Sequence, residues 1–204
     1  MIDFYWVPTA NGQRAAIMLE EAQETYRVRP VDMLRGEHRS AAYLAINPLG
    51  KVPTIVDGET DVTVYGTLAI AFYLADKHQV LLGDTLAERA RVYHWAGVVA
   101  SDLGPAFSGQ YVFNVLAPEK LDYAIGYFDE QIARILAVVD QQLSRQPFLA
   151  GENYTLADAL AYPVAATSAQ RLATGLAPWP NIQRWSQTVG QRPAIQRAME
   201  INAQ

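Results

Sequence analysis

The sequence predicts an α/β half over residues 1–78 and an all-helical half over residues 85–204. Short β-branched and aromatic runs at 2–7, 26–31, 54–56 and 62–64 alternate with helix-period segments, and no strand run follows residue 80. Beyond that point apolar residues recur at helical spacing, as in Ile125, Phe128, Ile132, Ile135, Leu136 and Val139. The composition changes at Leu81-Leu82-Gly83-Asp84-Thr85, which reads as a linker ending in a helix cap.

The first strand, Ile2 to Val7, stops at Pro8. Pro8-Thr9-Ala10-Asn11-Gly12 is a turn-to-cap sequence, and either Thr9 or Asn11 can cap the helix carrying Ala15, Ala16, Met18, Leu19 and Ala22. Strand Tyr26–Val31 leads into a polar loop, Asp32 to Arg39, that contains His38. A short helix, Ser40 to Ile46, ends at Asn47-Pro48. In Gly50-Lys51-Val52-Pro53, proline lacks the N–H of a ladder, so it belongs at a strand start or edge. An X-Pro bond there can be cis, at a cost of about 0.5–1 kcal/mol, which turns the Val52 N–H and C=O outward. An ordinary proline loop before a hairpin satisfies the same residues. Asp57-Gly58 is the hairpin turn to Val62–Val64, and Gly66-Thr67 opens the helix Leu68 to His78. The order is β-α-β-α-β-β-α, with long crossovers that suit parallel pairing and an antiparallel final hairpin.

The second half reads as a helix from Glu88 to Leu103, ended or bent by Gly104-Pro105, and another from Pro118 to Gln146. Thr155-Leu156-Ala157-Asp158 is a near capping box before a helix from Ala159 to Leu172, with Asp shortening the reach of the usual Glu. Pro178-Trp179-Pro180 makes a turn, and Ile182 to Val189 is the last helix.

The 204 residues include no cysteine, so disulfides, thiolate nucleophiles and zinc–thiolate sites are excluded, and sulfur chemistry must use a ligand's sulfur. A net charge of -5 without a basic block gives no support for nucleic-acid or anionic-membrane binding. No charged-then-apolar leader opens the chain and no apolar run approaches about 18 residues, so a cytoplasmic location is the expectation.

Several motifs carry a resemblance: Pro8–Gly12, Gly50–Pro53, Ala69-Ile70 with Tyr73-Leu74-Ala75-Asp76-Lys77, Gly104-Pro105 with Gly109-Gln110, and Phe148 to Asp158. Together they resemble the glutathione S-transferase superfamily along essentially the whole chain, and most of all the bacterial nu class, which includes glutathione-dependent disulfide reductases. The resemblance implies a thioredoxin-like domain (β-α-β-α-β-β-α) followed by a C-terminal helical bundle with co-substrate pocket and dimer contacts. It implies glutathione as co-substrate, no metal, an apolar electrophile or disulfide as second substrate, and a homodimer.

Carried onto this chain, the resemblance makes Asn11 and Thr9 the groups facing the thiol. A hydroxyl or amide N–H there stabilises a thiolate but cannot act as a base near neutral pH. Tyr5 is read as core. Val52 next to Pro53 pairs in an antiparallel manner with the cysteinyl backbone, while His38 and Lys51 reach the glycyl carboxylate. A solvated loop His accounts for His38 equally well. At Gly66-Thr67 the chain departs from the family's usual acid-Ser pair: Thr67 still offers a hydroxyl and an N–H to a carboxylate, but Gly66 offers nothing to the γ-glutamyl ammonium. Asp102, Phe107, Gln110 and Tyr111 are the co-substrate residues, in a region where aromatics such as Tyr93, Trp95 and Phe113 serve core packing as readily. Because of Gly66, two alternatives stand beside the enzyme: a non-catalytic binding protein with the same fold, and an enzyme for a different ligand.

Overall fold

The computed structural model describes residues 1–201, apart from the Ser168 side chain, so the last three residues of the helical domain expected over 85–204 lie outside the description. The chain divides into two compact units, Met1–Leu82 together with the stretch from Gly190 on, and Gly83–Val189.

In the first unit a four-stranded sheet has the order β2-β1-β3-β4, with β1 Ile2–Trp6, β2 Tyr26–Pro30, β3 Thr54–Asp57 and β4 Val62–Tyr65. β1 and β2 are parallel, joined through the helix α1 (Ala10–Glu21). The second crossover differs from the sequence expectation, since β3 runs antiparallel to β1. The connection through α2, Ala41–Ile46, starts and ends at the same end of the sheet, where Trp6 pairs with Pro30 and Tyr5 with Thr54. The hairpin β3–β4 is antiparallel, as expected, and leads to α3, Thr67–His78.

Period-2 alternation sends Ile2, Phe4 and Trp6 to the buried face of β1. They belong to a core with Ala15, Ala16, Ile17, Met18 and Leu19 of α1 and Ile70, Ala71, Leu74 and Ala75 of α3, all fully buried. On the opposite face Tyr5 packs with Val7, Val31, Tyr43 and Val52, its ring edge-on to Tyr43 at 5.7 Å.

Under the hairpin, the fully buried Asp57 carboxylate meets Lys77 Nζ at 2.7 Å and Tyr73 Oη at 2.6 Å. Lys77 also reaches Glu24 at 2.8 Å and Glu59 at 2.9 Å. Burial opposes ionisation of Asp57, but hydrogen bonds from Lys77 and Tyr73 outweigh it and hold the carboxyl at about 2.

Sequence reasoning missed the last helix, which groups with the first unit. The seven residues of α9 (Pro193–Met199) pack on α1 in the first unit. Arg192 grips Glu21 through two bonds of 2.8 Å, and Arg197 Nε meets Glu20 at 2.6 Å.

In the second unit, α4 (Leu86–Val98) and α5 (Gly104–Tyr111) join through a π-helical turn, Val99–Leu103, and a second π turn, Val112–Leu116, follows. Gly104-Pro105 therefore does not end the helix. Proline has no N–H and crowds the carbonyl four residues back, and the wider turn absorbs both, with the Gly104 N–H bonding to Val99 O. The helix α6 spans Asp122–Arg145. The helix α7 spans Leu156–Pro163 rather than starting at Ala159, and beyond Pro163 the chain continues as a π turn and a 3₁₀ turn. The helix α8 spans Pro180–Gly190.

Asp158 organises this half. Its Oδ1 accepts from Leu149 N at 2.9 Å and Trp185 Nε1 at 2.9 Å, and its Oδ2 from Thr155 N at 3.0 Å. The shorter acid thus reaches the cap, because loop and helix close around it. Complete burial pushes its carboxyl above the ordinary range despite these donors. Among the described residues no helix is long and apolar enough to cross a membrane.

Candidate functional site

Strand register gathers the candidate residues of the first unit. Tyr5 pairs with Thr54 and Thr54 with Tyr65, so the segments 8–11, 51–53 and 66–67 all leave the sheet at one end. Pro53 O accepts the Gly66 N–H at 3.4 Å, and a Cβ at Gly50 would lie 2.9 Å from the His38 carbonyl oxygen, so His38 borders the same loop.

The Val52-Pro53 bond is cis. The peptide before it is held by three donors on one oxygen: Lys51 O accepts from Tyr43 Oη at 2.7 Å, Asn47 Nδ2 at 2.7 Å and Thr54 Oγ1 at 3.3 Å. Tyr43, Asn47 and Thr54 are all buried, and Asn47 Oδ1 accepts Leu49 N–H at 3.0 Å in an Asx turn. Among the described residues the Val52 N–H and C=O have no hydrogen-bond partner, which leaves both free to pair with a bound chain. Sequence reasoning overlooked these anchors. The available signal was Asn47 ahead of Pro48 and Gly50, a turn-forming pattern.

At the start of α1 the two candidate caps divide their work. Thr9 caps, its Oγ1 accepting Gly12 N–H at 3.2 Å. Asn11 is exposed, and its Oδ1 accepts from Arg14 Nη1 at 2.7 Å. Arg14 is 3% exposed, and burial pulls its guanidinium down to about 10. Gly12 packs so closely on β1 that a Cβ would sit 2.1 Å from Val7 O, which fixes the helix start against the strand end.

Gly66 is the N-cap of α3 with φ 89°, and no side chain caps it. A Cβ there would meet nothing within 4 Å, so space exists for a side chain while the backbone disfavours one. Thr67 opens the helix, whose first N–H groups lack partners within it. His38 sits in a 3₁₀ turn, its Nε2 taking Arg39 Nε at 3.2 Å and its Nδ1 buried without a partner. Lys51 is exposed.

In the second unit a cavity of about 430 Å³ is lined by the polar groups of Gln110, Asn114, Asp129 and Arg171 and by apolar Ile125, Ile132 and Trp179. Of the four co-substrate candidates, Gln110 lines this cavity, its Nε2 donating to Asp129 Oδ1 at 3.3 Å. Tyr111 is covered by Arg171, 4.9 Å from ring centre to guanidinium carbon. Phe107 is buried in the core, and Asp102 is exposed, bonded to Ser101 Oγ at 2.8 Å. Arg171, with no role in the sequence reading, faces the cavity.

The models for the N-terminal and C-terminal domains of glutathione S-transferases match residues 10–77 and 112–193. The disulfide-bond oxidoreductase YfcG of Escherichia coli is 35% identical over 98% of this chain and 94% of its own length. The glutathione transferase URE2P6 of Phanerochaete chrysosporium, solved with oxidized glutathione, superposes with a TM-score of 0.91 at 31% identity, covering 98% of this chain and 94% of that one. A glutathione transferase family member of Pseudomonas fluorescens, solved with two glutathione bound, gives 0.92 at 28% identity, covering 98% and 93%.

Proposed function

Because the chain belongs to the glutathione S-transferase family, we propose that it binds glutathione at the sheet end of its first unit and uses the thiolate to reduce disulfides. The observation that carries this is the Val52 main chain, held out by the anchored Lys51 carbonyl and lacking partners of its own. The cysteinyl backbone of glutathione pairs with Val52, and its carboxylates go to the N–H groups and hydroxyl at Thr67 and to the Lys51 and His38 edge. The ammonium finds no side chain at Gly66.

The thiol faces Asn11 and the positive end of α1, with Thr9 holding that end. A donated N–H and the helix dipole favour the thiolate, so the thiol pKa falls. The thiolate attacks one sulfur of the disulfide, the S–S bond breaks, and the departing thiolate takes a proton from water. A mixed disulfide with glutathione results. The chain has no cysteine to resolve it, so a second glutathione thiolate attacks, giving glutathione disulfide and the second free thiol. Two electrons pass from two glutathione molecules to the substrate. Support comes from the disulfide-bond oxidoreductase name of YfcG and from the neighbours solved with oxidized glutathione or with two glutathione bound. We assign the second substrate to Asp102, Phe107, Gln110 and Tyr111, with Gln110 the strongest because it lines a cavity. The glutathione transferase name of the neighbour URE2P6 supports a second reading, conjugation of an apolar electrophile by the same thiolate.

The family resemblance and exposed apolar side chains around the start of α6, Leu121, Tyr123 and Tyr127, support a homodimer. Light scattering at micromolar concentration tests it, and a monomeric mass overturns it. The function is tested by retention on immobilised glutathione with elution by free glutathione, followed by glutathione-dependent reduction of a small dialkyl disulfide. Retention with turnover supports it, and failure of both overturns it.

A further inference from the structure

An amide side chain facing a thiol has two ends with opposite effects. Its N–H donates to a thiolate and stabilises it, whereas its carbonyl oxygen repels a thiolate and favours the thiol. An exposed asparagine that turns freely presents both. At the start of α1 the choice is made by the protein, because Arg14 Nη1 donates to Asn11 Oδ1 at 2.7 Å. That bond turns Nδ2 the other way.

Arg14 is one helical turn beyond Asn11 and 3% exposed, so its charge is poorly screened. The remaining charges of α1, Glu20 and Glu21, lie at its opposite end, paired with Arg197 and Arg192 of α9. Those of α3 lie in its last turn: Asp76 is exposed, and Lys77 and His78 are paired with Glu24. Arg14 is therefore the charged group bonded to the candidate thiol ligand. A cation donating to an amide oxygen also draws electron density from the amide nitrogen, making its N–H a better donor.

We propose that Arg14 is a positioning residue for thiol activation: by holding Asn11 Oδ1 it fixes the amide with Nδ2–H toward the sulfur and strengthens that donor. This rests on the reading of Asn11 as the group that meets the glutathione thiol.

Ultraviolet titration of the thiolate of bound glutathione tests it, with the native protein beside Arg14→Met, Arg14→Lys and Asn11→Asp. The native protein is expected to hold the thiol below its value in free glutathione. Arg14→Met should raise the bound-thiol pKa by about one unit, a tenfold loss of thiolate at fixed pH on the lower limb. Arg14→Lys, which keeps a cationic donor, should recover most of the shift. Asn11→Asp keeps an acceptor for Arg14 but removes the N–H, and should raise the pKa at least as far as Arg14→Met. If Arg14→Met folds, binds glutathione and leaves the pKa at the native value, the role of Arg14 is overturned while glutathione activation stands. If Arg14→Met does not fold, Asn11→Asp decides: a native pKa in that variant overturns the proposal. A native protein that binds glutathione without lowering its thiol pKa overturns the underlying reading itself.

Discussion

Asn47 Nδ2 donates to the Lys51 carbonyl oxygen at 2.7 Å, from a side chain 1% exposed. A buried amide thereby fixes the peptide that precedes Val52, the residue proposed to pair with glutathione. Asn47→Ala should lose about 2–3 kcal/mol of stability, since it removes an acceptor and donated bonds in a dry site. It should weaken glutathione binding about tenfold while kcat at saturation changes little. Tyr43→Phe, which deletes one of the three donors to Lys51 O, should show a smaller loss of both. Denaturant unfolding and calorimetric titration check these expectations.

The charge cluster under the hairpin gives a stability prediction. Lys77→Met leaves Asp57 buried without its cation and should cost about 3–5 kcal/mol in urea unfolding. The pH dependence follows from the sign of the Asp57 shift. Its folded pKa, about 2, lies below the unfolded value, so its contribution is complete above roughly pH 4 and is lost as pH falls toward 2. In Lys77→Met the acid loss should begin at higher pH, because burial then acts on Asp57 without the cation.

Asp158→Ala should destabilise the second unit by about 3–5 kcal/mol, because the Leu149 N–H and the Trp185 indole N–H lose a shared buried acceptor. Asp158→Asn, which keeps an oxygen, should cost less. Trp185 fluorescence during denaturant unfolding reads both.

Gly66 combines a positive φ with open space where a side chain would project. Its φ of 89° means that Gly66→Ala should lose about 1–2 kcal/mol although the Cβ meets open space. Gly66→Glu should suffer the same loss yet tighten glutathione binding, because a carboxylate then faces the ammonium. A glutathione analogue lacking that ammonium should bind the two proteins alike. Calorimetry with both ligands on both proteins separates the backbone effect from the charge.

The parts of this molecule visible in the sequence are those whose chemistry is local. Val52-Pro53, the Thr9 cap and the Thr155–Asp158 cap each declare themselves within a few residues, because a missing N–H or a side chain that reaches three residues on acts at short range. The sense of β3 was not visible, since crossover length does not fix strand direction. Nor was α9, whose seven residues gain their stability from packing on α1 and from Arg192 and Arg197 reaching back about 170 residues along the chain. The Lys51 anchor escaped for the same reason: Tyr43, Asn47 and Thr54 converge on one oxygen only after the loop has closed. Within the site the sequence left Thr9 and Asn11 interchangeable as caps, and the bond from Arg14 to Asn11 separates them.

The most direct measurement is a crystal structure of the protein with glutathione. The expected result is an antiparallel pair, with the cysteinyl N–H and C=O of the ligand at about 2.7–3.2 Å from the Val52 carbonyl oxygen and amide nitrogen. Glutathione bound elsewhere, with both Val52 groups beyond hydrogen-bonding distance of it, would contradict the proposed site. Crystals grown at saturating glutathione that hold none would contradict the function.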